Sequence, residues 1–189
     1  MRHLDPRALG SLECRAWETY YRRMWIAFLL ASVAMVREAF AMSWPRTLVG
    51  AWLVLRANQK WAPVPDNDPA AARALMTRFY RLLAASGETG FDPASAAELE
   101  VEWWRAHRDV QRYDAGSAEE LVIALRDLYA HCYGVPPAEV RSAAELRAAA
   151  MEISDAWVEA GCDPADSRLA EERALLVRSY AALLAAVHR

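Results

Sequence analysis

Apolar residues recur every three or four positions along most of this chain, which is the spacing of amphipathic α-helices. No stretch alternates apolar and polar residues between turn-forming segments, so we expect essentially no β-sheet. The pattern predicts an all-α fold of seven helices, over positions 10–42, 46–61, 69–86, 94–112, 118–133, 138–160 and 166–188. The break between the first two falls at Ser43, Trp44 and Pro45.

Two local patterns mark helix starts. A serine followed three residues later by a glutamate, the capping box, occurs at Ser95, Ser117 and Ser142. An aspartate before a proline, which suits an N-cap and first turn, occurs at Asp68, Asp92 and Asp163. Predicted helix ends are marked by Gly87, Gly134 and Gly161. The serine at 142 would also divide the sixth helix into a short turn and a longer helix.

The first two predicted helices are the most apolar part of the chain. Between Met24 and Leu55 the only charged residues are Arg37, Glu38 and Arg46. The uncharged run over 24–36 is too short to span a bilayer, and the segment before it is too long and too acidic for a signal peptide. A helix that is apolar on every side must be covered on every side. We therefore expect one domain over 1–189, with a central apolar hairpin (1–62) enclosed by five amphipathic helices (63–189).

The amino-acid composition argues against several classes of function. The chain has 189 residues, of which 55% are hydrophobic, enough for one core. A net charge of −3 gives no electrostatic case for binding nucleic acid. The three cysteines are widely spaced without a C-x-x-C pair, which argues against a disulfide framework and indicates a reducing cytoplasm. Phosphate-binding loops and the serine-hydrolase nucleophile motif are absent from the sequence, which argues against both classes.

Tryptophan supplies 8 of the aromatic residues, against 7 tyrosines and 4 phenylalanines. One interpretation is an aromatic pocket for a flat ligand such as a haem, a flavin or a polyketide. The other is a tryptophan-rich core, because each indole buries a large area and needs a partner for its N–H. Spacing alone does not separate the two.

The candidate ligand site combines polar and aromatic residues of three predicted helices. Arg56, Asn58 and Gln59 end the apolar second helix, and polar groups buried there must be hydrogen-bonded. Trp103 precedes His107 by one turn of the fourth helix, and His131 lies between tyrosines on the fifth. Either histidine is a candidate haem ligand or an ordinary core histidine. We expect these six residues around a cavity that joins the second, fourth and fifth helices.

The sequence predicts no metal site. Asp127 and His131 are four residues apart on one helix face, but a histidine three residues before Gly134 is also typical of a helix C-terminus. An acidic stripe on the sixth helix is interpreted as its solvated side; it comprises Glu145, Glu152, Asp155 and Glu159.

Two functions are compatible with these features. The first is a protein that binds a small hydrophobic or aromatic ligand or a cofactor, with a tailoring enzyme among the open alternatives; the cofactor and the reaction stay unspecified. The second is an interaction subunit or scaffold, in which the apolar hairpin packs against a partner or forms a homodimer. The second function predicts that Trp25, Phe28 or Met35 is exposed in the isolated chain.

Overall fold

A computed structural model describes residues 4–86, 90–113 and 115–188. Within these ranges all regular structure is α-helical, as the sequence predicts. The eight helices are α1 (Pro6–Tyr21), α2 (Trp25–Phe40), α3 (Trp44–Trp61), α4 (Pro69–Ala84), α5 (Pro93–Tyr113), α6 (Ala118–Tyr133), α7 (Pro137–Glu159) and α8 (Arg168–Val187). No helix in the described ranges combines the length and apolar character needed to cross a membrane.

The first predicted helix is two helices, so the structure has eight rather than about seven. The chain breaks after Tyr21 because Arg23 adopts a left-handed conformation, with φ of 57°. The Met24 N–H donates to the Thr19 carbonyl over 2.8 Å and closes the end of α1. Left-handed turns usually use glycine or asparagine. An arginine in this position gives no sequence signal, which is why the prediction of one helix over 10–42 is wrong.

Only one of the three predicted capping boxes forms. The Ser117 hydroxyl accepts from the Glu120 N–H, and the Glu120 carboxylate accepts from the Ser117 N–H. Ser95 lies in the first turn of α5, where its N–H donates to Asp92 over 2.7 Å. Ser142 lies inside α7, which runs on without a break. The same four-residue pattern therefore occurs at a cap, inside a first turn and in a helix interior.

The other predicted boundaries are mostly close. Asp68 caps α4 by accepting from the Ala71 N–H. Asp163 instead holds a turn, in which its carboxylate accepts from the Ala165 N–H, and α8 begins only at Arg168. Gly134 ends α6 in a left-handed conformation, and Gly161 follows the end of α7 with φ of 100°. The predicted stop at Gly87 lies outside the described residues.

The helices form a closed ring in chain order. Each helix packs against the next one, and α8 returns to pack against α1. This last contact is close: a Cβ on Gly10 of α1 would lie 2.7 Å from the backbone nitrogen of Val177 on α8. Since each helix has neighbours on two sides, its inner side faces the centre of the ring and its outer side faces solvent.

The apolar hairpin is present, but it forms one wall of the ring. Phe28, near the start of α2, packs with Leu55, near the end of α3, so the two helices are antiparallel. On the outer side, Ile26 is 80% exposed and Leu30 is 66% exposed. The prediction that the later helices enclose the hairpin on every side is therefore wrong for its outer side. The ring explains this, because it covers only the inner sides of its helices.

Candidate functional site

The inner sides of the helices line a half-open pocket of about 190 Å³, which we call the interior cavity. Five helices contribute to its wall: α1, α2, α3, α5 and α7. Its aromatic lining includes Trp17, Tyr20, Phe28, Trp61, Trp103 and Trp104. The two neighbouring indoles on α5 are nearly perpendicular, with centroids 6.1 Å apart, and Trp61 lies 5.8 Å from Trp104. Half of the chain's tryptophans therefore line this interior space.

Polar side chains are set into the same wall. They include Glu13, Asn58, Glu100, His107, Arg147 and Ser154. Three buried polar atoms on the lining residues have no partner in hydrogen-bonding geometry: Trp103 Nε1, Arg147 Nε and Ser154 Oγ. These atoms expose almost no surface to the cavity, and Trp103 and Ser154 lie close enough to the Glu100 and Glu172 carboxyl groups to interact with them.

Two arginines, Arg108 and Arg147, line the cavity, and the one paired with a carboxylate is Arg147. Its Nη2 lies 2.5 Å from the Glu13 carboxylate, and its guanidinium lies 4.9 Å from the centre of the Trp103 ring. Burial alone would lower the pKa of Arg147, but the Glu13 carboxylate and neighbouring tyrosines raise it well above the usual value. The guanidinium therefore stays charged inside the ring.

A buried carboxyl group lies on the same side of α5 as the indoles. Tyr80 of α4 donates from its hydroxyl to Glu100 over 2.7 Å. Burial raises the pKa of Glu100, while the Tyr80 hydrogen bond and the Arg147 charge oppose this increase. The pKa of this carboxyl group is therefore raised overall, because the effect of burial exceeds that of the two contacts.

His107 and Asp155 join α5 to α7. His107 Nε2 lies 3.0 Å from the Asp155 carboxylate. The second carboxylate oxygen accepts from Gln111, whose amide also donates to the Tyr21 hydroxyl over 3.1 Å. A carboxylate held on one ring nitrogen fixes the orientation of the imidazole and leaves the other nitrogen available.

His107 contributes to the walls of two cavities. The second cavity, of about 180 Å³, lies between α5, α6 and α7 and is lined by both His107 and Asp155. The imidazole therefore lines both the interior cavity and this second cavity.

Only three of the six predicted site residues line the interior cavity. They are Asn58, Trp103 and His107. Arg56 and Gln59 lie on the exposed side of α3, where the guanidinium donates to the Gln59 amide oxygen over 2.8 Å. Because α3 is a wall of the ring, residues on its outer side cannot join the inner site.

His131 lies away from this group on α6. Its Nε2 is 3.0 Å from the Asp92 carbonyl oxygen, and its ring packs near Phe91. Asp127, the other residue of the predicted pair, accepts from Arg126. Within the described ranges, no group of three or more histidine, cysteine, aspartate or glutamate side chains is placed to hold a metal ion.

Glu13, Arg147 and Asp155 are among the residues of the site that were not predicted as candidates. Glu13 and Arg147 lie on the core-facing stripes of α1 and α7, where Leu9 and Met151 are their apolar neighbours. A charge at a core position of an amphipathic helix was the available signal. Asp155 was assigned to the solvated stripe, but it is half-buried and paired with His107.

No family model, curated protein or solved structure matches the chain significantly. Function must therefore be argued from the geometry of the site and from the surface of the ring.

Proposed function

We propose that the protein binds a small organic ligand, with about one or two aromatic rings, in the cavity inside the helix ring. The observation that carries this proposal is a cavity of about 190 Å³ whose wall combines aromatic rings with the polar side chains of Asn58, His107 and Arg147. An engineered apolar cavity of roughly 150 Å³ binds benzene, so this volume is suited to a ligand of similar or slightly larger size.

The polar atoms restrict the chemistry of the ligand. The Asn58 amide and the Arg147 guanidinium line the cavity, and both carry N–H donors. A ligand that carries a carbonyl, hydroxyl or carboxylate oxygen satisfies such donors, while its ring packs against the indoles. We therefore expect oxygenated aromatic compounds to bind better than hydrocarbons of the same size, since the latter leave the donors unpaired.

The His107–Asp155 pair extends the proposal towards catalysis. An imidazole oriented by a carboxylate can take up or release a proton at its free nitrogen, which is the role of a general base or acid. This supports a tailoring enzyme rather than a simple carrier. In that case His107→Gln would keep ligand binding but lose turnover, whereas a carrier would show no turnover in either form.

Ligand titration tests the binding proposal. We would titrate the protein with 2-naphthol and with naphthalene, following tryptophan fluorescence and the thermal unfolding temperature. We expect saturable binding of 2-naphthol that raises the unfolding temperature, and weaker binding of naphthalene. Ser154→Leu fills part of the cavity and should abolish binding, and Val54→Phe should do the same from the α3 side.

The matched control is Ser142→Leu, which makes the same change at an exposed position of the same helix. This variant should bind 2-naphthol as the unmodified protein does. If the folded Ser154→Leu and Val54→Phe variants bind normally, the ligand does not occupy the interior cavity. If a panel of compounds with one or two rings shows no binding at all, the proposal fails.

An interaction subunit is the second candidate function, because the outer side of the hairpin exposes large apolar residues. Of the three residues that this function predicts to be exposed, Trp25 is exposed, Phe28 is buried and Met35 is partly buried. Light scattering over a range of concentrations tests whether the chain associates with its own copy. As a location we propose the cytoplasm; the free thiols of Cys14, Cys132 and Cys162 support a reducing compartment.

A further inference from the structure

The outer side of the α2–α3 hairpin is the main apolar surface in the described part of the chain. We call this surface the outer hairpin face; it comprises Trp25, Ile26, Leu30, Trp44, Leu48, Val49 and Trp52. Among the residues that the structure describes, the other exposed large apolar side chains are Met24, Val64, Tyr113 and Ile123. Apolar side chains that cluster on a surface, rather than being scattered singly, mark a binding face.

Helical spacing makes this face continuous. Ile26 and Leu30 are one turn apart on α2, and Trp44, Leu48 and Trp52 are each one turn apart on α3. Since the two helices are antiparallel and Phe28 packs near Leu55, the α2 row lies at one end of the hairpin, and the α3 row continues from Trp52, near Leu30, to the other end. The result is a flat apolar strip along the outside of the ring.

Basic residues lie next to this apolar strip. Between positions 22 and 60 the chain has 6 basic residues and a single acidic one, although its overall net charge is −3. One of the six, Arg22, is paired with Glu18 of α1. The guanidinium of Arg37 lies 4.6 Å from the Trp44 ring, and that of Arg56 lies 5.9 Å from the Trp52 ring. The single acid, Glu38, accepts from the Asp5 N–H at the start of α1. The positive charge is therefore concentrated where the apolar side chains are exposed.

We infer that the outer hairpin face docks on the surface of an anionic lipid bilayer. Exposed tryptophans suit the interface between headgroups and acyl chains, aliphatic side chains enter the acyl boundary, and arginines contact anionic headgroups. No helix in the described ranges is able to span the bilayer, so the protein would lie on the membrane surface.

Charge favours an anionic bilayer over two other partners, a second copy of the chain and a nucleic acid. In a symmetric dimer built on the same face, the two basic rims would be brought together, which costs energy unless anions intervene. A nucleic acid would pair with the arginines and stack on the indoles, but it would leave Ile26, Leu30 and Leu48 in water. An anionic bilayer accommodates both the basic and the aliphatic residues.

The membrane proposal is independent of the ligand site. The outer hairpin face shares no residue with the lining of the interior cavity, to which α2 and α3 contribute through Phe28 and Asn58 instead. Ile26→Glu should therefore leave 2-naphthol binding unchanged, and Ser154→Leu should leave membrane binding unchanged. The two proposals can fail separately.

Vesicle flotation tests the inference. We would compare vesicles of phosphatidylcholine alone with vesicles that contain about one third phosphatidylglycerol, at low and at physiological salt. Binding should be at least about tenfold tighter to the anionic vesicles and should weaken as salt increases. Ile26→Glu places a charge where the face enters the acyl boundary and should reduce binding at least about tenfold.

Matched controls keep the test specific. Ile123→Glu makes the same change at an exposed residue of α6, four helices away around the ring, and should bind vesicles normally. Arg56→Gln should weaken binding about fivefold. Arg178→Gln, an equivalent change at an exposed position of α8, should have no effect. Thermal unfolding confirms that each variant is folded.

Several results would overturn the inference. Absence of binding to anionic vesicles would do so, and so would binding that Ile26→Glu leaves intact. A dimer detected by light scattering and dissociated by Ile26→Glu would assign the face to a second copy of the chain. Salt-sensitive binding of single-stranded DNA that Ile26→Glu retains and Arg56→Gln weakens, without vesicle binding, would assign the basic rim to nucleic acid.

Discussion

The Glu13 carboxylate on α1 lies 2.5 Å from the Arg147 guanidinium on α7, although the two residues are 134 positions apart in the chain. Glu13 is only 2% exposed. Its second oxygen accepts from the Tyr180 hydroxyl of α8, and Arg147 also donates to the Tyr129 hydroxyl of α6. This buried pair therefore links four helices on one side of the cavity.

Removal of one partner should be much worse than removal of both. Glu13→Leu leaves the Arg147 guanidinium charged and buried without its carboxylate, so we expect a loss of about 3–5 kcal/mol in the free energy of unfolding. The double variant Glu13→Leu/Arg147→Met replaces the pair by apolar groups and should recover most of that loss. Urea denaturation measures both values. A double variant less stable than Glu13→Leu would contradict this account.

The contact between α1 and α8 should tolerate no added methyl group at Gly10. Its substitution by alanine would place Cβ 2.7 Å from the Val177 nitrogen and 2.9 Å from its Cα, so the two helices must move apart. We expect Gly10→Ala to destabilise the protein by about 1–3 kcal/mol, although alanine favours helix by about 1 kcal/mol.

The control for this prediction is Gly90→Ala, because a Cβ there meets nothing within 4 Å. That variant should be as stable as the unmodified protein, or slightly more stable. Equal thermal unfolding temperatures for the two variants would mean that the α1–α8 contact is looser than the structure shows.

Two serines with the same local pattern should respond in opposite directions. Ser117→Ala removes a hydroxyl that accepts from the Glu120 N–H, so we expect a loss of about 1 kcal/mol. Ser142→Ala changes an exposed position inside α7 and should gain up to about 0.5 kcal/mol from helix propensity. Urea denaturation of both variants measures the difference. A loss of stability at position 142 would show that this serine acts as a cap after all.

The all-α fold class could be predicted from local sequence patterns, whereas the arrangement of the helices in a ring could not. Apolar periodicity and the caps at Asp68 and Ser117 depend on neighbouring residues, so the sequence alone predicts them. The break at Arg23 depends on a left-handed arginine, which propensity does not anticipate. The exposed outer side of α2 depends on which helices become neighbours, and a strongly apolar sequence does not contain that information.

Only part of the candidate site could be predicted, because the sequence does not show which helices become neighbours. Asn58, Trp103 and His107 fall on inner faces of their helices, so a search for polar and aromatic residues near apolar stretches found them. Asp155 lies at the edge of an otherwise exposed acidic stripe, and only the position of α5 shows that it faces His107. Contacts between distant helices decide which charges are buried.

We expect Glu172 to make the free energy of unfolding depend on pH, unlike an ordinary surface carboxylate. Its side chain is completely buried, and neither carboxyl oxygen has a partner in hydrogen-bonding geometry. Burial and the charge of Glu13 together raise its pKa from 4.5 to about 8, although the nearby Cys14 thiol, Ser154 hydroxyl and Arg173 charge oppose the increase. The folded protein therefore holds a proton that the unfolded chain releases near pH 4.5.

The contribution of Glu172 to stability should decline as pH rises. Between about pH 4.5 and 8 the folded state binds more protons at this residue than the unfolded state does, so the free energy of unfolding falls with pH. Glu172→Gln resembles the protonated side chain and does not titrate. From pH 5 to pH 8 the unmodified protein should lose about 3 kcal/mol relative to this variant. Urea denaturation at several pH values measures the difference.

The neighbouring Glu171 provides the control for this prediction, because its side chain is exposed on the same turn of α8. Glu171→Gln should follow the pH profile of the unmodified protein, since a solvated carboxyl group titrates similarly in the folded and unfolded states. If Glu172→Gln also runs parallel to the unmodified protein from pH 5 to pH 8, the Glu172 carboxyl is hydrated in solution. The packing between α1, α7 and α8 would then be more open than the structure shows.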